Sequence, residues 1–330
     1  MNKTRIAING FGRIGRNVFR LLINHPTIEV VAINDIANNR TMAHLIKYDS
    51  IHGVLPFDVS FDDDNIIVHG KPYTFFHEKE LSNLKWNDVD FVIESTGKYK
   101  TFEDINKHII AGAKKVILSA PSEIDEIKTV VLGVNENILD GSETIISNAS
   151  CTTNNAAPMI KIIDELCGIE QAYITTVHSY TTDQSLHDQP HKDLRRARGA
   201  SQSIVPTTTG AAKALTKIFP EMDGKIGGSG IRVPVPDGSL TDITCYVTKE
   251  VSIDEINAAF KHASENELKG IMAYTEDPIV SVDVIGNTNS CVFDAQLTSV
   301  ISKMVKVVGW YDNEIGYSSR IIDLILLLRK

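Results

Sequence analysis

Short apolar runs rich in β-branched residues recur through the first half of the chain. Each is closed by glycine or small polar residues and most lead into positions with helical apolar spacing. Residues 4–9 form the first run, 30–34 the second, and 90–94 and 115–119 continue the series. Runs that are apolar throughout and alternate with helical stretches, here through about Leu22 and around 41–48, predict an α/β domain: a doubly wound parallel sheet over residues 1–150. A hairpin tipped by Asp62-Asp63-Asp64 interrupts the rhythm. The last run, Thr144-Ile145-Ile146, stops at a polar turn, Ser147-Asn148-Ala149-Ser150-Cys151-Thr152-Thr153-Asn154, and the spacing of a buried helix follows through Leu166.

The pattern then changes. Residues 172–177 read as a strand ending in His178, and 179–203 form a long polar loop with few apolar anchors, which needs another surface to order it, such as a neighbouring subunit. Leu240–Val251 alternates like a half-buried antiparallel strand, with further strands expected at 279–284, 291–295 and 303–311 and a helix near 253–266. Residues 151–315 therefore read as an α+β catalytic domain on a mainly antiparallel sheet. An apolar helix over 316–330 is expected to pack back on the first domain.

Composition narrows the function classes. A chain of 330 residues is too long for one core of ordinary size, and its 42% hydrophobic and 23% charged residues are those of a globular protein. The net charge of -9 lacks the basic footprint that a nucleic acid or an anionic membrane needs. The basic start runs directly into Asn9, Gly10 and Gly12, unlike a signal peptide. The tail, Ile321–Leu328, carries Asp323 and falls short of the roughly 20 residues of a membrane helix. Four widely spaced cysteines, 151, 167, 245 and 291, point to free thiols in a reducing, cytoplasmic compartment. No CxxC pair is present, and His187 and His191 have no ligand cluster beside them, so no metal is expected.

Two constellations carry chemistry. The first is strand, Gly10-Phe11-Gly12-Arg13-Ile14-Gly15, helix. Its glycines make a tight turn, let the backbone approach a pyrophosphate and let the helix pack on the strand. Asp35 closes the second strand twenty residues past Gly15, where a carboxylate holds ribose hydroxyls and repels a 2′-phosphate, which favours NAD. Thr96-Gly97 and Ser119 end later strands with small polar residues that can bound a nucleotide cleft. The second is Cys151 at a helix start, where unpaired N–H groups and the dipole favour a thiolate. His178 follows 27 residues later at a strand end, as its candidate base. Thr207-Thr208-Thr209-Gly210 at a helix start, with Arg195 and Arg232, supplies what small phosphate sites use.

Assembled, these residues make the chain resemble phosphorylating glyceraldehyde-3-phosphate dehydrogenases from end to end. The resemblance rests on residues 9–16, 47–53, 147–154, 178–181, 193–198, 206–211 and 310–317. It implies Cys151 as nucleophile and His178 as base. It implies one anion site from Thr181, Asp183 and Arg232, and a second from Ser150, Thr152, Thr209, Gly210 and Arg195. NAD is implied on Gly10, Phe11, Gly12, Arg13, Ile14, Gly15, Asp35, Thr96, Gly97 and Ser119, with Asn313 on the nicotinamide carboxamide and Tyr317 lining the same pocket. The implied substrates are glyceraldehyde 3-phosphate and inorganic phosphate, joined through a thioester, in a cytoplasmic homotetramer. Erythrose-4-phosphate dehydrogenase, which uses water in place of phosphate, resembles the chain closely as well, though Thr181 and residues 207–210 look more like the phosphate-using enzyme. An NAD-binding redox-sensing or adhesive protein is the alternative from another class. Two departures stand out: Asn155 replaces a cysteine common in the family, and Gln189 replaces a leucine common among NAD-using members.

Overall fold

The computed structural model describes residues 3–329. The chain divides into two compact units. The first runs through Val130 and adds Asn137–Ala149 and the stretch from Ser318 onward; the second holds Val131–Glu136 and Ser150–Tyr317.

In the first unit the elements are β1 (Thr4–Asn9), α1 (Arg13–Leu22), β2 (Ile28–Asn34), α2 (Asn39–Lys47), β3 (Tyr48–Asp49), β4 (Gly53–Val54), β5 (Val59–Phe61), β6 (Asn65–Val68), β7 (Lys71–Phe76), β8 (Phe91–Glu94), α3 (Phe102–Ile110), β9 (Lys115–Leu118), β10 (Lys128–Thr129) and β11 (Ile145–Ser147). Nine of these strands form one sheet in the order β10-β11-β9-β8-β1-β2-β7-β6-β5. It is parallel from β10 to β7, and the hairpin strands β5 and β6 add an antiparallel edge. Ile6, Ile8, Ile33, Val92, Ile93, Val116 and Ile117 are fully or almost fully buried, as expected of strands covered on both faces. Each such side chain contributes roughly 1.5–3 kcal/mol by leaving water. The parallel order brings the carboxyl ends of β9, β8, β1 and β2 side by side, where ligands of such sheets bind.

The second unit holds α4 (Cys151–Cys167), β12 (Ile169–Ser179), β13 (Val205–Thr207), α5 (Ala211–Ile218), β14 (Ile226–Val233), β15 (Ser239–Val247), α6 (Ile253–Glu265), β16 (Met272–Thr275), β17 (Cys291–Asp294), β18 (Ser299–Ile301) and β19 (Met304–Tyr311); α7 (Ile315–Leu328) begins there. Its sheet runs β13-β14-β12-β15-β19-β17-β16, with β18 on β19. Most pairs are antiparallel, but β14 runs parallel to β12 along eight consecutive partners.

Helix starts follow side-chain chemistry. Ser252 and Glu255 make a reciprocal capping box for α6, and Ser150 accepts the Thr153 N–H at the start of α4. Thus α4 begins at Cys151 itself, a full two turns before its apolar spacing becomes evident. One sequence expectation changes. Residues 279–284 form a 3₁₀ turn over Ser281–Val284 instead of a strand: the Asp283 carboxylate accepts the Val280 N–H at 2.8 Å, and Val280 and Val282 remain exposed, so the apolar alternation has no face to bury. The glycine-rich β14 is a strand despite its low β-propensity, because its glycines lie close against β12. A Cβ on Gly228 would stand 3.0 Å from the Ile174 carbonyl oxygen.

Candidate active site

In the first unit the glycine turn follows β1. Gly10 has φ +93°, and a Cβ there would stand 2.6 Å from the Thr96 nitrogen; one on Gly15 would strike the Gly10 carbonyl oxygen. At Gly12 a Cβ would meet nothing within 4 Å, so the open face of the cradle lies at the N-cap of α1, which has no side chain. This is the geometry a pyrophosphate needs. Asp35 faces the turn: its Oδ2 accepts the Phe11 N–H at 2.7 Å and its Oδ1 accepts the Ala37 N–H at 3.0 Å. The Phe11 ring is buried against Phe19 and Phe75, so only its backbone is available to a ligand. Ile14 is half-buried on α1. Arg13 is bound bidentately by Asp49, at 2.6 and 3.1 Å, rather than free for a cofactor. Burial acts to raise the Asp49 carboxyl, but Arg13 and the His52 and Ile51 N–H groups hold it down to about 2. Thr96, Gly97 (φ +67°) and Ser119 follow β8 and β9, and the Ser119 N–H donates to the Glu94 carbonyl.

In the second unit Cys151 Sγ lies 3.4 Å from His178 Nε2. Cys151 is the first residue of α4, and two residues before it Ala149, a non-glycine residue, has φ +56°, a strained conformation of the kind found at functional sites. Burial pushes the Cys151 thiol up, with Arg232 and the Thr152 N–H pulling the other way. The helix start alone therefore does not supply the thiolate, contrary to the reading from sequence. The neighbouring imidazole Nε2 is the proton acceptor within reach of the sulfur. His178 is opposite Arg232 in the β12–β14 register, and Arg232 Nη1 lies 2.5 Å from its Nδ1. Burial and that guanidinium together lower His178 to about 3. The Ser179 carbonyl, 2.8 Å from Nδ1, acts in the other direction. An arginine only donates, so it and the Ser179 carbonyl compete for Nδ1. With the ring proton on Nδ1 toward the carbonyl, Nε2 is the nitrogen that accepts from sulfur.

Below these groups Tyr311 bonds Thr152 Oγ1 at 2.9 Å and sets its ring edge-on to His178, 6.0 Å between centroids. Asn313 Oδ1 accepts from Ser179 Oγ at 2.9 Å and Ser239 Oγ at 2.7 Å, which turns its Nδ2 outward as a donor. The expected anion-site residues are only partly assembled. Asp183 is paired with Arg196 at 2.6 Å and lies near enough to Arg232 for its charge to act there, and Thr181 lies half-buried just past β12. Ser150 caps α4, Thr209 Oγ1 accepts the Ala211 N–H at 3.2 Å, and Gly210 is the N-cap of α5. Arg195 stands exposed on the polar loop, while its neighbour Arg196 bonds Thr207 Oγ1 and the Thr208 carbonyl.

Residues 4–102 match the glyceraldehyde 3-phosphate dehydrogenase NAD binding domain, and residues 150–313 match the C-terminal domain of the same family. The chain belongs to the glyceraldehyde-3-phosphate dehydrogenase family. It is 54% identical over 324 residues to the glyceraldehyde-3-phosphate dehydrogenase of Geobacillus stearothermophilus, covering 97% of this chain and 96% of that one. It is 53% identical to glyceraldehyde-3-phosphate dehydrogenase 2 of Streptomyces avermitilis over 97% of each chain. With glyceraldehyde-3-phosphate dehydrogenase 1 of Bacillus subtilis it shares 50% over 99% of this chain and 98% of that one.

Within this glyceraldehyde-3-phosphate dehydrogenase family fold, several residues that brace the site escape a reading of the sequence. Arg16, buried, donates to the Phe11 carbonyl at 2.7 Å and holds the glycine turn from behind. Ser179, Ser239 and Tyr311 act through partners far away in sequence. Only the side-by-side placement of β14, β12, β15 and β19 reveals them.

Proposed function

We propose that this chain catalyses the NAD-dependent oxidative phosphorylation of D-glyceraldehyde 3-phosphate to 1,3-bisphosphoglycerate through a thioester on Cys151. The observation that carries the reading is the 3.4 Å pairing of Cys151 Sγ with His178 Nε2 in a member of this family. Cys151 gives its proton to His178, and the sulfur forms a bond to the aldehyde carbon. The carbonyl oxygen takes up the displaced electron pair and then the proton held by His178, giving a hydroxyl, and the neutral His178 receives that proton again as hydride leaves and the carbon becomes an acyl group. NAD, when bound, supplies the acceptor for the hydride that leaves that carbon. An oxygen of inorganic phosphate attacks the thioester, the C–S bond breaks, and Cys151 recovers its sulfur while the acyl phosphate departs. The Cys151 N–H at the first turn of α4 and the protonated His178 are the donors for the oxyanion, a contribution of roughly 3 kcal/mol per donor in other enzymes.

In the first unit the residues fit NAD: the open cradle at Gly12 takes the pyrophosphate, Asp35 the ribose hydroxyls, and Thr96, Gly97 and Ser119 bound the nucleotide. In the second unit Asn313 Nδ2 is the donor for the carboxamide oxygen, with Tyr317 beside it. Arg232 and Thr181 bind the substrate phosphate, and Ser150, Thr152, Thr209, Gly210 and Arg195 the attacking one.

The protein acts in the cytoplasm as a homotetramer. Four free thiols support the first statement, and no helix among the described residues is long and apolar enough to cross a membrane. The uncovered face of the second sheet supports the other: Tyr173, Tyr246 and Met304 lie on adjacent strands there and are 52%, 50% and 42% exposed. Sedimentation at micromolar concentration tests it, with a tetramer expected and a monomer contradicting. Phosphate dependence of NADH formation tests the reaction and separates it from hydrolytic erythrose-4-phosphate oxidation.

A further inference from the structure

The first unit buries an ionisable group that the chemistry above does not use. Glu94, at the end of β8, is 1% exposed, and four donors converge on its carboxylate. Asn9 Nδ2 lies 2.5 Å from Oε2, the Thr96 N–H donates to Oε1 at 2.8 Å, and the Thr96 hydroxyl donates to the same oxygen. His108 Nε2 completes the set, 2.9 Å from Oε2. The direction of this last bond follows from a residue further back. Trp86 Nε1 lies 3.0 Å from His108 Nδ1, and an indole nitrogen can only donate. His108 Nδ1 must therefore accept, the ring proton sits on Nε2, and that proton points at Glu94. Every partner of Glu94 is a donor, a demand that only an ionised carboxylate meets in full.

The donors are not local. Asn9 ends β1, and its Oδ1 accepts from Asn34 Nδ2 at 2.7 Å. Asn34 ends β2 and is closed in turn by the Glu78 backbone, with its Nδ2 on the carbonyl at 2.9 Å and its Oδ1 on the N–H at 2.8 Å. Trp86, His108, Glu94, Asn9 and Asn34, all buried, thus tie the carboxyl ends of β8, β1 and β2 into one row. The Gly10–Gly15 turn follows Asn9 directly, Asp35 follows Asn34, and Thr96 is itself a donor to Glu94. Ser95 Oγ donates to the Gly10 carbonyl at 2.7 Å, and no Cβ fits between Gly10 and Thr96. A displacement of the 95–97 turn must therefore displace the glycine turn. Apolar side chains of the same volume would stabilise this region at least as well but would aim nothing.

We infer that Glu94, oriented by His108 and Trp86, is a positioning residue for the cofactor: it locks the 95–97 turn against the glycine turn so that the three strand ends present one preformed NAD cradle. The inference rests on NAD occupying that cradle, and titration of the unmodified protein with NAD tests that premise by itself.

The experiment compares His108→Gln with His108→Leu, and adds Glu94→Gln. A glutamine Nε2 occupies the place of the imidazole Nε2 and still donates to Glu94; leucine fills space and donates nothing. NAD dissociation constants are read by titration, alongside the KM for NAD, kcat at saturating NAD and the alkylation rate of Cys151 without NAD. His108→Leu and Glu94→Gln are expected to weaken NAD about tenfold, all of it in Kd and KM, with kcat and alkylation within about twofold. His108→Gln is expected to bind NAD within about threefold of the unmodified protein. Equal NAD affinity in His108→Leu and His108→Gln would overturn the inference, even if both lost thermal stability. If Glu94→Gln fails to fold, the two His108 variants decide alone.

Discussion

Arg232 Nη1 lies 2.5 Å from His178 Nδ1, so the imidazole that faces Cys151 has a guanidinium against its other nitrogen. Burial and this cation hold His178 neutral down to about pH 3. In the unfolded chain the same group takes a proton near its ordinary value of about 6.5. Between those limits the unfolded state binds more protons, so His178 contributes a stability term that falls as pH drops from about 6.5 toward 3, by about 1.4 kcal/mol per pH unit at most. His178→Asn should show a shallower loss of urea stability between pH 7 and 5 than the unmodified protein. Identical slopes would place His178 in a more solvated setting.

Asp237 predicts the opposite slope. It is buried, and burial together with the charges of Asp312 and Glu314 raises its carboxyl to about 8. The native state keeps this proton up to about pH 8, whereas an unfolded aspartate loses it near 4. Native protein binds more protons in that window, and its stability declines as pH rises through it. Asp237→Asn should therefore gain stability relative to the unmodified protein as pH goes from 5 to 8. A constant difference across that range, measured by urea titration, would contradict the pairing.

Asn155 reports on packing rather than chemistry. Its buried Nδ2 donates to the Ser290 and Trp310 carbonyls, each at 3.2 Å, and joins α4 to the region of β17 and β19. Asn155→Ala should cost about 1–3 kcal/mol in denaturant unfolding. Reactivity of Cys151, one helical turn away, should stay within about twofold. Loss of alkylation without loss of stability would show that Asn155 acts on the sulfur instead.

For the cofactor, Asp35→Ala should raise the ratio of NADP to NAD efficiency, because the carboxylate that faces the glycine turn excludes a 2′-phosphate. NAD efficiency should fall as well, since the Phe11 N–H loses its acceptor. An unchanged ratio of kcat/KM values would remove Asp35 from the ribose site.

Legibility in the sequence followed the range of the interactions. The parallel sheet, the glycine turn and Asp35 are set by neighbours within one strand-turn-helix unit, so apolar runs and glycine spacing expose them. Cys151 and His178 could be paired because each closes or opens a regular element. Asp183 could not be matched to Arg196, nor Asn313 to Ser179 and Ser239, because those contacts depend on loop conformation and strand register. The Glu94 row was hidden for another reason. A lone glutamate after an apolar strand looks like a surface residue until the donors around it are seen. The 279–284 segment shows the converse error, an apolar alternation with no core to face.

The account stands most directly on one measurement: steady-state NADH formation from glyceraldehyde 3-phosphate, with and without inorganic phosphate, by the unmodified protein and Cys151→Ser. Sustained turnover is expected only with phosphate and only when Cys151 is intact. Sustained NADH formation without phosphate, or by Cys151→Ser, would contradict the thioester route.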